Sequence, residues 1–176
     1  LPLMLSVNVS GLELVKQGYA ARVVDTLRTT GWPADQLVLE VTETVLDVDR
    51  PSSINALHEL RRHGIRVAID DFGTGYSSLS RLHTLPTDLL KLDGSFVSSI
   101  ISPSVPRLLQ AVAGLADALH LPIVVEGVET ARQAAVLRDM GFTMAQGYHF
   151  GRPQSREDVA ESIRHQATTS GPALGG

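Results

Sequence analysis

Two carboxylates stand side by side at Asp70 and Asp71, where the apolar run Val67-Ala-Ile69 ends and Phe72-Gly-Thr-Gly75 turns the chain. A short run rich in β-branched residues is the mark of a buried parallel strand. The glycines are free to take the positive φ that a sharp turn requires. Two acids at the end of a buried strand are costly unless something cationic holds them. A divalent metal ion, or a pair of them, is the simplest partner. The plainer alternative is that Asp71 caps the next helix and Asp70 pairs with a lysine.

Other polar residues fall at equivalent places. The apolar runs Leu3–Val9, Leu37–Val41, Leu89–Asp93, Pro122–Glu126 and Thr143–Tyr148 read as five more strands. Near their carboxyl ends they carry Asn8, Glu40, Lys91 with Asp93, Glu126 and Gln146. Oxygen donors of this kind suit Mg²⁺ or Mn²⁺ better than zinc. The pair Asp70 and Asp71 suits two ions bridged by one carboxylate, an arrangement that activates water and steadies the leaving oxygen of a phosphoester. Lys91 and Asp93, two residues apart, share one side of their strand. Lys91 could orient the attacking water or stabilise phosphate charge, or could be a plain salt-bridge partner. Glu126 is a candidate general base or metal ligand. Gln146 suits a base edge or a phosphate, or else a hydrogen bond to the Gly147 turn. Glu43 and Glu129 lie past their strand ends and read as loop anchors. Asp71-Phe-Gly73 also spells the kinase metal motif, but no H-R-D loop or V-A-I-K strand accompanies it.

Between the strands lie helical patterns: Leu12–Leu27, Ser52–His63 with Leu57 and Leu60 inward, a short piece at Ser78–Leu82, Val105–Leu119, Thr130–Met140, and Ser155–Gln166 with Val159 and Ile163 inward. Strand then helix, repeated, builds a parallel sheet with ligand sites at the carboxyl ends of its strands. No G-x-G-x-x-G follows the first strand, which disfavours a doubly wound nucleotide fold. A (β/α)₈ barrel fits better. Such barrels run to about 250 residues, and this chain has 176 and begins in a strand. The expectation is therefore a TIM-like barrel lacking its first one or two βα units, over residues 1–167, with 168–176 as a flexible tail or linker.

The totals narrow the chemistry. A net charge of −4 argues against electrostatic binding of DNA or of an anionic membrane surface. The absence of cysteine excludes thiolate zinc sites, disulfides and cysteine nucleophiles, and fits the cytoplasm. No apolar run approaches the roughly 20 residues of a membrane span.

Six motifs occur in order: Asn8-Val-Ser10, Leu39-Glu-Val-Thr-Glu43, Asp70-Asp-Phe-Gly-Thr-Gly75, Lys91-Leu-Asp93 with Ser95-Phe-Val97, Glu126-Gly-Val-Glu-Thr130, and Gln146-Gly-Tyr-His-Phe150 with Arg152-Pro153. Together they resemble the EAL domain, the bacterial phosphodiesterase that opens cyclic di-GMP to linear pGpG on a modified TIM barrel. The resemblance implies that Asn8, Glu40 and Asp70 ligate a first Mg²⁺ or Mn²⁺. Asp70 and Asp71, with Asp93 or Glu126, would hold a second. Lys91 would sit by the hydrolytic water with Glu126 as base or ligand, Glu43 would anchor the loop after Asp71, and Gln146 would line the substrate pocket. It further implies a homodimer, a flanking sensory or GGDEF domain in the full-length protein, and a cytoplasmic site even where that protein is membrane-bound. The sequence departs from the family pattern in three ways: the Glu-Ala-Leu motif is absent, Leu12-Glu13 replaces a common Arg-Gln, and Gly94 replaces the usual arginine. A non-hydrolysing module that binds the nucleotide or relays a signal is the alternative. A barrel aldolase using Lys91 as a Schiff base leaves the acids unexplained.

Overall fold

The computed structural model describes residues 3–42, 45, 51–73, 82, 85–100 and 105–169, with side chains through 164. Six strands, β1 (Leu5–Asn8), β2 (Leu37–Thr42), β3 (Arg66–Phe72), β4 (Leu89–Leu92), β5 (Ile123–Val125) and β6 (Met144–Ala145), pair in chain order, every pair parallel. The curled sheet is part of a TIM-type barrel, the fold class expected. The helices are α1 (Gly11–Leu14), α2 (Tyr19–Thr30), α3 (Pro51–Arg62), α4 (Gly94–Ser98), α5 (Val105–Ala118), α6 (Ala131–Asp139) and α7 (Arg156–Thr169). Among the described residues no helix is long and apolar enough to cross a membrane.

Side chains alternate across a sheet, and here the alternation separates packing from chemistry. Leu37, Leu39, Val41, Val67, Ile69, Leu90, Leu92, Ile123 and Val125 belong to one buried apolar cluster shared with the helices, through Leu57 and Leu60 of α3, Leu109 of α5 and Leu137 of α6. The intervening positions carry Glu40, Asp70 and Lys91. Helices α3, α5 and α6 all end in the same way. Gly64, His120 and Gly141 sit in the left-handed region, and the next amide donates back across the last turn, as from Leu121 to the Ala116 carbonyl at 2.8 Å.

Several expected elements differ. The single helix expected over Leu12–Leu27 is two, because Gly18 takes φ +70° between them. Leu12, at the start of the expected helix, is 71% exposed, and Leu14 is buried. The last strand is two residues long rather than six. Val159 and Ile163 of α7 are exposed, not inward, at 43% and 39%. A helix was not expected at α4, where Asp93 accepts from the Ser95 amide at 3.0 Å and caps it. The short helix expected at 78–82 falls, but for Leu82, outside the described residues, as does Glu43.

Candidate active site

Lys91 lies at the middle of the inner row, and only 4% of its surface is exposed. Its ammonium donates to Glu40 Oε2 at 2.7 Å and to Asp70 Oδ1 at 2.9 Å, and it pairs with Glu126 Oε1 at 2.5 Å. Carboxylates from β2, β3 and the residue after β5 thus converge on one nitrogen of β4. Register explains the convergence: Glu40 lies opposite Ala68, Thr42 opposite Asp70, and Lys91 opposite Val124. Asn8 lies opposite Glu40 at the exposed end of β1. Burial alone would lower the Lys91 pKa. The hydrogen bonds it donates to Glu126, Glu40 and Asp70 outweigh it and hold the ammonium above its ordinary value.

Adjacent residues of a regular strand point to opposite faces, so Asp70 and Asp71 could not both serve one site without a local irregularity. The structure supplies it. Ile69 lies opposite Leu90 and Phe72 opposite Leu92, so Asp70 and Asp71 together oppose the single residue Lys91. This is a β-bulge. Asp71 adopts φ +54°, rare for a residue other than glycine and best tolerated by Asn and Asp. The bulge keeps Ile69 and Phe72 in the apolar cluster and takes both carboxylates out of it.

Oxygens of Asp70, Asp71 and Glu126 lie within 4.8 Å of one another. Burial raises the pKa of Asp71, and the charges of Asp70 and Asp93 raise it further. Burial likewise raises Glu126, against the pull of Lys91. An all-oxygen donor set whose members repel one another fits a hard divalent cation.

The remaining candidate residues sit further out. Asp93 is held below its usual range by the Ser95 hydroxyl and amide as it caps α4. The amide of Glu129 donates to the Gln133 side chain at 2.9 Å, within the capping box that starts α6, and its own side chain is exposed. Gln146 lines a groove of about 880 Å³ along β6, with Phe142, Tyr148 and Arg152, which none of the three clustered carboxylates reaches. Sequence reasoning missed the bulge and the cap. The triplet Asp93-Gly94-Ser95 carried the signal for the cap.

A curled parallel sheet whose strands deliver acids around one lysine at their carboxyl ends defines an α/β-barrel protein whose top face has donors fit for a cation. Residues 1–153 match the EAL domain family. The chain belongs to that family. It is 39% identical over 173 residues to the cyclic di-GMP phosphodiesterase NbdA of Pseudomonas aeruginosa, covering 98% of this chain and 22% of that protein. The crystal structure of the EAL domain of Mycobacterium smegmatis DcpA superposes with a TM-score of 0.85 at 39% identity, over 92% of this chain and 73% of that one. A manganese and cyclic di-GMP complex of Klebsiella pneumoniae BlrP1 has a TM-score of 0.80 at 34% identity, over 85% of this chain and 39% of that one. The chain spans about a fifth of the length of its curated relatives.

Proposed function

We propose that this chain carries the catalytic machinery for metal-dependent hydrolysis of cyclic di-GMP to linear pGpG. The observation that carries the reading is the convergence of Asp70, Asp71 and Glu126 oxygens within 4.8 Å beside a buried lysine. A relative named as a cyclic di-GMP phosphodiesterase and a neighbour holding manganese with the same nucleotide support it.

Asn8, Glu40 and Asp70 would hold a first Mg²⁺ or Mn²⁺ ion, and Asp70 and Asp71, with Asp93 or Glu126, a second. Such ions supply an acidified water and charge stabilisation on the phosphoester. The net reaction adds one water across one P–O bond of the ring. Lys91, held in its charged form, cannot take a proton from that water; it donates hydrogen bonds and opposes negative charge building on the phosphate. Where Glu126 is not a ligand, its burial-raised pKa suits it to receive the proton. Gln146, in the groove along β6, would offer its amide to a guanine edge.

The test is hydrolysis of cyclic di-GMP to pGpG with Mn²⁺, beside an Asp70→Ala control. Turnover abolished by the control supports the reading. Tight nucleotide binding without turnover assigns the chain to the non-hydrolysing alternative.

A further inference from the structure

The one-turn helix α4 touches the chain just beyond each of the two segments that carry the clustered carboxylates. A Cβ added to Gly73 would stand 2.7 Å from Cζ of Phe96, so the Phe96 ring lies directly against the backbone two residues beyond Asp71. A Cβ added to Gly127 would stand 2.8 Å from Cα of Gly94, so the first residue of α4 lies against the backbone one residue beyond Glu126. Gly73 and Gly127 both take positive φ, +95° and +68°. Neither loop has room for a side chain where α4 meets it.

From these contacts we propose that Phe96 is a positioning residue: α4 is a wedge whose ring against Gly73 and backbone against Gly127 set the separation of the Asp71 and Glu126 carboxylates. The inference rests on the cation-binding reading above. Asp71 needs such support. Its backbone is in the left-handed region, and its carboxyl is repelled by Asp70 and Asp93. A bulge under those loads relaxes unless something over-determines it. Phe96 is partly buried against the core, and Asp93 fixes the start of its helix. Val97, its neighbour on the same turn, is fully buried and belongs to the apolar core. Packing for stability and support of the bulge thus fall on different side chains of one helix.

That division supplies the experiment, run on this chain with Phe96→Ala, Phe96→Leu and Val97→Ala. Two quantities are read: Mn²⁺ affinity, from the free Mn²⁺ spin-resonance signal, and amide hydrogen exchange of the segment 66–73 without metal. Outer-shell supports of a metal site are typically worth ten- to a hundredfold in affinity. Phe96→Ala is therefore expected to weaken Mn²⁺ binding about tenfold and to speed exchange selectively in 66–73. Phe96→Leu should recover most of both. Val97→Ala should lower the melting temperature at least as much, with Mn²⁺ affinity held within about twofold. Unchanged exchange in 66–73 on Phe96→Ala, or equal effects of Phe96→Ala and Val97→Ala, overturns the proposal. Absence of Mn²⁺ binding by the unsubstituted chain, with exchange in 66–73 still responding to Phe96 alone, upholds the wedge and sinks the cation site instead.

Discussion

Replacing Lys91 by methionine is the most informative single change. Methionine keeps most of the unbranched stem and its packing, so little of the effect is a cavity. The ammonium goes, and with it the one cation among the described residues that faces Glu40, Asp70 and Glu126, at 2.7, 2.9 and 2.5 Å. Glu40 is 5% exposed and has no water to turn to. Removing one partner of a buried pair costs about 3–5 kcal/mol. At about 2–4 °C per kcal/mol for a chain of this size, the metal-free melting temperature falls by about 6–20 °C. The pH dependence tests the cause. The Lys91 pKa is raised on folding, so its stabilisation is complete below about pH 10.4 and cannot explain any change between pH 5 and 7.5. In the variant the stranded carboxylates bind protons more tightly folded than unfolded. The loss then shrinks on acidification, by up to about 1.4 kcal/mol per pH unit for each group that titrates. Urea unfolding at pH 7.5 and pH 5, with and without Mn²⁺, measures this. A loss under about 1 kcal/mol at pH 7.5, or the same loss at both pH values, refutes the view that a buried charge cluster holds these strands together.

Asp71→Asn keeps a residue that tolerates positive φ and removes a charge repelled by Asp70 and Asp93; metal-free melting should hold or rise by a few degrees while Mn²⁺ affinity drops at least about tenfold, read by melting with and without Mn²⁺. The Glu126 pKa is raised on folding, so its stabilisation is whole below about pH 4.3 and is lost as pH rises through the folded value. Urea midpoints of metal-free Glu126→Gln should accordingly vary less across that window than those of the unsubstituted chain. His120→Gly should stabilise by about 1 kcal/mol in urea unfolding, because His120 holds at φ +55° the position that Gly64 and Gly141 fill in the matching helix ends.

The strand–helix rhythm and the polar strand ends were legible because each is written locally, as an apolar run followed by a carboxylate or an amide. Glu40, Asp70, Lys91 and Glu126 meet as their strand positions implied. What stayed hidden depends on neighbours. The bulge at Asp70 and Asp71 exists only relative to β4, and no window along one strand reveals an extra residue in a ladder. Val159 and Ile163 have helical spacing, but periodicity states which face is apolar and not whether anything covers it. The break at Gly18 is a local signal, outweighed in the sequence by the helical spacing of the apolar residues on either side of it. The place of Asp93 at a strand end is legible in the sequence, while its capping of α4 rests on Gly94 and Ser95 beginning a helix at once.

The unbroken order of the sheet has a consequence for how the molecule is made. Each strand docks on the one synthesised just before it, so the sheet can grow from one end while the ribosome is still working, with no strand waiting for a distant partner. The Lys91 cluster does not follow that schedule. It needs β2, β3, β4 and the residue after β5 together, so its charges all meet only once Glu126 has been made. Until then Glu40 and Asp70 keep their water. Interactions that form this late act on the rate of unfolding and little on the rate of folding, so the lysine is a latch on a finished sheet and not a template for building it.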